Sequence, residues 1–182
     1  MAETAKNARN VRGDDGRIFH MGRSRGATVE DLYRVGDGKA ELVDGELVLM
    51  PLTGGLHGFA AGEIFVSLRE YARRTKAGYV FGDSVGFLVR LPNRRSFAPD
   101  AAFAKVDQLT AKFIEGAPVF AVEVRSEGDF GLAAERAMAA KRADYFAAGT
   151  LVVWDVDVLR EQAVRVYRAS NPATPTLCLR GE

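Results

Sequence analysis

Cysteine is nearly absent from this chain of 182 residues. A single Cys178 allows no intramolecular disulfide and no cysteine-based zinc cluster, and it fits a reducing compartment. Long hydrophobic runs are missing as well. No stretch reaches the roughly 18 apolar residues of a membrane span, and the first residues lack the apolar core of a signal peptide. The expected location is therefore the cytoplasm, with no membrane partner. Net charge is only +1, which excludes a global basic field, so any nucleic-acid contact has to come from a local patch. A phosphate-cradling glycine loop, a nucleophile elbow and internal repeats are also lacking. What is there is ordinary globular material, 47% hydrophobic and 27% charged. It is enough chain for one domain with a core of two or three layers.

Residues 1–26 are polar, glycine-dotted and basic, and read as a flexible arm. Arg9, Arg12, Arg17, Arg23 and Arg25 offer it a second role on phosphates. Thr28 can cap a helix over Val29–Arg34, with Asp31 at the third helical position. Two short apolar strands between residues 40 and 50 flank Asp44-Gly45, a hairpin signal. The spacing of Phe59, Ile64, Leu68 and Tyr71 predicts a helix over 56–76, with Arg69, Arg73 and Arg74 outward. Strands are expected at 79–81, 84–91 and 100–105, with a turn at residues 92–95. Val119–Val124 is nearly continuous in apolar character, as befits a central strand covered on both faces. An alanine-rich helix over 132–148 ends at Gly149; strands at 151–156 and 163–167 follow. The domain spans 27–170, and 171–182 reads as a polar tail. This order points to an α/β or α+β domain with a mixed central sheet flanked by helices.

Two acids interrupt the apolar pattern. Asp100 lies in Phe97-Ala98-Pro99-Asp100-Ala101-Ala102-Phe103, and Glu123 in Val119-Phe120-Ala121-Val122-Glu123-Val124-Arg125. A carboxylate in a strand-like apolar segment is costly to desolvate unless it is paired or holds a metal. Each alone has a plain reading: a Pro-Asp turn, or a glutamate paired with an arginine. Together, on strands able to lie side by side, they point to one hard cation, Mg²⁺ or Mn²⁺. The backbone carbonyl of Val124 is a natural third ligand. Such an ion lowers the pKa of a bound water and stabilises charge on a phosphoryl oxygen. A nearby lysine would orient the water and stabilise the developing charge. Two residues after Glu123 stands Arg125, a poor general base because its pKa stays above about 12. It is left to clamp a phosphate or to pair with an acid such as Glu127.

Further landmarks run in order from Ala40 to Tyr167. They are Glu41-Leu42-Val43-Asp44-Gly45-Glu46-Leu47, His57 opening the long helix, the Asp100 and Glu123 segments, Lys141 with Tyr145 four residues on, and Ala148-Gly149 leading to Val153-Trp154-Asp155-Val156. Taken together they resemble the Uma family of bacterial restriction endonucleases, a branch of the PD-(D/E)XK nuclease superfamily. The resemblance implies a restriction-endonuclease-like fold, a divalent metal and phosphodiester hydrolysis. It also implies that a lysine on the following helix replaces the strand lysine, and Lys141 matches that position. Lys141 shares a helix face with Met138 and Tyr145; its plain reading is a snorkelling surface lysine. Glu46 matches the family's early acid, and Glu41 has the same status with less support. His57 is placed to bond a phosphate or a site carboxylate, and Asp83 and Tyr145 complete the candidates. The chain departs from the family pattern at Ser126-Glu127, where Ser-Pro is usual. It departs again at Ala137, where an acid is expected one turn before the helix lysine.

Two functions compete. A metal-dependent DNA endonuclease would hold Mg²⁺ (or Mn²⁺) on Asp100 and Glu123, with Lys141 helping to activate water. Basic residues of the 56–76 helix and of the Asn93-Arg94-Arg95 turn would receive the DNA backbone, RNA being the open alternative. A nuclease-fold protein that binds nucleic acid or regulates without cutting is the other reading, favoured by Arg125 and Ala137. A third class, a small-molecule hydrolase, finds no dedicated motif. Cutting two strands calls for a homodimer.

Overall fold

The computed structural model describes residues 19–20, 26–35 and 38–181. Arg9, Arg12, Arg17, Arg23 and Arg25 of the expected basic arm lie outside them. Within the arm, β1 (Phe19–His20) is described and pairs with Leu49 and Val48.

Local signals build the first elements as the sequence leads one to expect. Asp31 N–H donates to the Thr28 hydroxyl, and the Thr28 N–H donates back to the Asp31 carboxylate. That capping box starts α1 (Val29–Tyr33). Asp44 and Gly45 both take left-handed backbone conformations, φ 51° and 73°. A two-residue turn of this kind matches the twist of the strands it joins, here β2 (Lys39–Val43) and β3 (Glu46–Met50). The hairpin docks through its backbone onto the 93–96 segment. Arg95 N–H donates to the Leu42 carbonyl at 2.8 Å, and Leu42 N–H donates to the Ser96 hydroxyl at 2.8 Å.

Two long helices, α2 (Gly55–Thr75) and α3 (Leu132–Ala147), cover opposite faces of a six-stranded sheet. Its strands are β4 (Tyr79–Phe81), β7 (Ala101–Ala104), β9 (Phe120–Val124), β10 (Val152–Asp157), β11 (Ala163–Arg168) and β12 (Asn171–Leu179), in the order β12-β11-β10-β9-β7-β4. β9 and β10 run parallel and every other neighbouring pair runs antiparallel, so the sheet is mixed. Three short strands, β5 (Phe87–Leu88), β6 (Ser96–Phe97) and β8 (Ile114–Glu115), form a small separate sheet. On the α3 side Phe87, Phe97, Ala102, Ala121, Tyr145 and Val153 pack together, and on the α2 side Ala61, Ala101, Val122, Val124 and Val156. Among the described residues no helix is long and apolar enough to cross a membrane.

Three local expectations need correction. The segment from 171, read as a polar tail, is the edge strand β12, paired with β11. Its exposure and its two prolines, Pro172 and Pro175, suit an edge, where a missing N–H is tolerated. The strand expected over 84–91 shrinks to Phe87–Leu88. Ser84 sits at φ 69°, and Val89 and Leu91 turn their N–H groups to Arg95 and Arg94 instead. On α2 the expected Ile64 and Leu68 pack on the core beside His57, Ala61 and Ala72, while Phe59 and Tyr71 are exposed. His57, Ala61, Ile64, Leu68 and Ala72 keep the helical period, and Phe59 and Tyr71 fall to the side of that face.

Candidate active site

Asp100 immediately precedes β7, and Glu123 on β9 is next to Val122, which pairs with Ala101 where the two strands begin to run side by side. Asp100 N–H donates to the Val122 carbonyl at 3.0 Å, one residue out of the register of the pairs that follow. The two acids singled out from the sequence therefore lie near each other where β7 and β9 meet.

Around them the fold gathers residues from five other segments. Asp100 Oδ2 accepts the Val124 N–H at 2.7 Å and lies 3.3 Å from His57 Nε2, in the first turns of α2. Asp100 Oδ1 accepts from Lys39 Nζ at 2.7 Å, and Lys39 also lies 2.7 Å from Asp83. Glu123 accepts from Lys141 Nζ at 2.8 Å and from the Tyr145 hydroxyl at 2.6 Å. Lys141 and Tyr145 lie one turn apart on α3, and the Tyr145 ring is fully buried and stacked on Phe97 with centroids 3.9 Å apart. Lys141 reaches Glu41 as well, at 2.9 Å. Glu41 is buried, accepts the Ala98 N–H at 2.9 Å and pairs with Arg94 at 2.5 Å.

The structure thus brings Asp100, Glu123, Lys141, Tyr145 and His57 into one cluster, and the Val124 backbone with them. Glu46 lies on the same hairpin face as Glu41 but nearer the turn, opposite Val43. Of the two early acids it is Glu41 that bonds Lys141. Arg125 takes another place. Its guanidinium is buried and bonds Asp155 through Nε at 2.6 Å and Nη2 at 2.8 Å, with Glu135 as a second carboxylate partner. Its acids are Asp155 and Glu135, not Glu127. Arg94, expected on an exposed turn, is buried between Glu41 and Asp144 and is not available to a DNA backbone; Arg95 beside it is exposed.

Sequence reasoning missed Lys39 and Arg94 as cluster members. The strand period carried a partial signal for the first, because Lys39 and Glu41, two apart on β2, must share a face. Nothing local marks Arg94.

Charges in the cluster push one another in definite directions. Burial would raise the Asp100 carboxyl, but His57, the Lys39 ammonium and the Val124 N–H outweigh it and hold Asp100 well below the usual carboxylate range. Burial pushes Glu123 the other way, upward, with the Asp100 and Glu41 charges adding to it against the pull of Lys141. Burial would lower Lys141, but Glu123 and Glu41 keep it above the ordinary lysine range. Burial raises the Tyr145 phenol, so it stays protonated and donates to Glu123. The bond to Asp100 raises His57.

This donor set suits a hard divalent cation. Five carboxylates, Glu41, Asp83, Asp100, Glu123 and Asp144, meet three cations of fixed charge, Lys39, Arg94 and Lys141. Among the described residues no three His, Cys, Asp or Glu side chains lie close enough to share one ion. Asp100 and Glu123 are the carboxylates that could hold such an ion with water completing its shell, as Mg²⁺ keeps several waters, and at Val124 the N–H bonds Asp100.

A family model described as "Uma2: Putative restriction endonuclease" matches residues 27–177. Among solved structures, that of "a putative nuclease belonging to DUF820 from Anabaena variabilis ATCC 29413" superposes with a TM-score of 0.64 at 18% identity. The match covers 82% of this chain and 83% of that one, and it shows a shared fold. No curated protein matches the chain.

Proposed function

The chain belongs to the Uma2 family of putative restriction endonucleases, and from that premise we propose that it is a metal-dependent DNA endonuclease acting at the Asp100–Glu123–Lys141 cluster. A nuclease family implies a nucleic-acid substrate. One observation carries the finer reading: Asp100 at the start of β7 and Glu123 on the adjacent β9 are close enough for their charges to interact, and a lysine ammonium lies 2.8 Å from Glu123.

Asp100, Glu123 and the Val124 carbonyl would hold Mg²⁺ or Mn²⁺, which when bound lowers the pKa of a coordinated water and offsets charge on a phosphoryl oxygen. Lys141 keeps its proton because Glu123 and Glu41 favour the charged form. It therefore acts as a fixed positive charge that orients the water and stabilises charge developing on phosphorus oxygens, not as a base. Tyr145, donating from a ring held by Phe97, fixes the orientation of Glu123. Glu41 holds Lys141 from the hairpin side. Exposed Arg69, Arg73 and Arg74 of α2, with Arg95, are left to receive the DNA backbone. Arg73 sits sixteen residues beyond His57, about 24 Å along the helix. A homodimer belongs to the same reading, since two strands need two cuts.

Incubating the protein with supercoiled plasmid and Mg²⁺ or Mn²⁺, beside Asp100→Asn, tests the reading. Nicking or linearisation is expected from the natural chain and at least about 10²-fold less from the variant. Equal background in both would favour the nuclease-fold protein that binds nucleic acid without cutting it.

A further inference from the structure

Lys39 plays no part in the mechanism above, yet it occupies the place a metal needs. Asp100 Oδ2 is already engaged by the Val124 N–H and faces His57. Oδ1 is the oxygen left for a cation, and the Lys39 ammonium sits 2.7 Å from it. The Lys39 side chain is 12% exposed and Asp100 7%. Asp83, on the other side of the same ammonium at 2.7 Å, is 52% exposed. The lysine thus bridges an inner acid, which the metal reading requires, and an outer one beside solvent.

A lysine suits such a position. Its charge is compact and rides on a flexible four-carbon stem with three rotatable donors. It can leave one carboxylate for another without breaking a planar, two-point contact. Two cations within about 4 Å of each other repel strongly in a partly buried site. An ammonium and a divalent ion therefore do not share Asp100 Oδ1.

We propose that Lys39 gates the metal site: it neutralises Asp100 in the metal-free protein, competes with the divalent ion for Oδ1, and withdraws onto Asp83 when the ion binds. Metal affinity is then set by the position of this lysine as well as by the ligands. Lys39 lowers the affinity, and Asp83 restores part of it by drawing the ammonium outward. The inference rests on the metal site proposed above.

Calorimetric titration with Mn²⁺, without DNA, separates the two. Lys39→Gln should bind Mn²⁺ more tightly than the natural chain, by about tenfold or more. Asp83→Asn should bind it about threefold more weakly, and that loss should vanish when Lys39→Gln is already present, since coupled residues are not additive. Asp100→Asn should bind least of all. Equal affinity in the natural chain and in Lys39→Gln, with binding lost in Asp100→Asn, overturns the gate and leaves the metal site standing. A loss at Asp83→Asn that persists without Lys39 also overturns it. No Mn²⁺ binding at millimolar concentration in either the natural chain or Lys39→Gln removes the metal site and the gate together. Thermal melts verify folding of each variant, and Lys39→Met takes the place of Lys39→Gln in the cycle if the glutamine variant does not fold.

Discussion

Arg125 uses all the donors of its guanidinium on Asp155, Glu135 and the Asp129 carbonyl. The Asp155 hydrogen bond, outweighing burial, holds it above the ordinary arginine range. Replacing it leaves buried Asp155 with Arg142, 4.0 Å away, in place of the two short bonds from Arg125. Arg125→Met should therefore cost about 3–5 kcal/mol of stability, read as a large drop in denaturant midpoint, whereas Mn²⁺ affinity of the folded fraction should hardly change. A selective loss of metal binding with stability intact would assign Arg125 to the site instead. The neighbouring acids show what a sequence can reveal about single residues. Asp100 and Glu123 stand out because charge inside an apolar run needs a compensating partner. Glu41 and Lys39 carry no such mark, being charged residues on a hairpin that in isolation has solvent on both faces. Arg94 sits in what reads as a polar turn, and only its distant partners Glu41 and Asp144 bury it.

Between β10 and β11 the chain turns around Asp157, whose carboxylate accepts the N–H groups of Leu159, Arg160 and Glu161 at 3.0, 2.8 and 3.2 Å. Burial would raise this carboxyl, but the three N–H donors win and lower it. A depressed native pKa means that the stabilisation is complete above the unfolded value near 3.9. It is lost as pH falls through the lower native value. Asp157→Ala should cost about 1–3 kcal/mol at neutral pH, and the gap to the natural chain should narrow as pH falls below the unfolded value of about 3.9. Urea titrations at pH 7 and pH 3 check this; a gap independent of pH would mean that packing, not the charged cap, is lost. Elements made by such local contacts were readable in advance. The capping box of α1, the Asp44-Gly45 turn and the α3 stop at Gly149 each depend on neighbours a few residues away. β12 was not, because an exposed edge strand has no apolar alternation and earns its place only by pairing with β11.

The described residues of one chain hold one candidate site, while a duplex has two strands. Leu52 is fully exposed and Phe59 is 66% exposed near His57. That is apolar surface which a second copy would remove from water at about 25 cal/mol per Å². Sedimentation equilibrium should therefore report twice the chain mass of 19.8 kDa. A monomer at all concentrations would mean that strands are cut one at a time. The helices, the hairpin, the apolar central strand and the identity of the two acids follow from local conformational preference and the cost of burying charge, so they could be read from residue order alone. Tertiary structure decided which charges meet. Lys39 finds Asp100 across 61 positions of the chain and Arg94 finds Glu41 across 53. Such pairs depend on strand register and helix docking, and no local pattern encodes either.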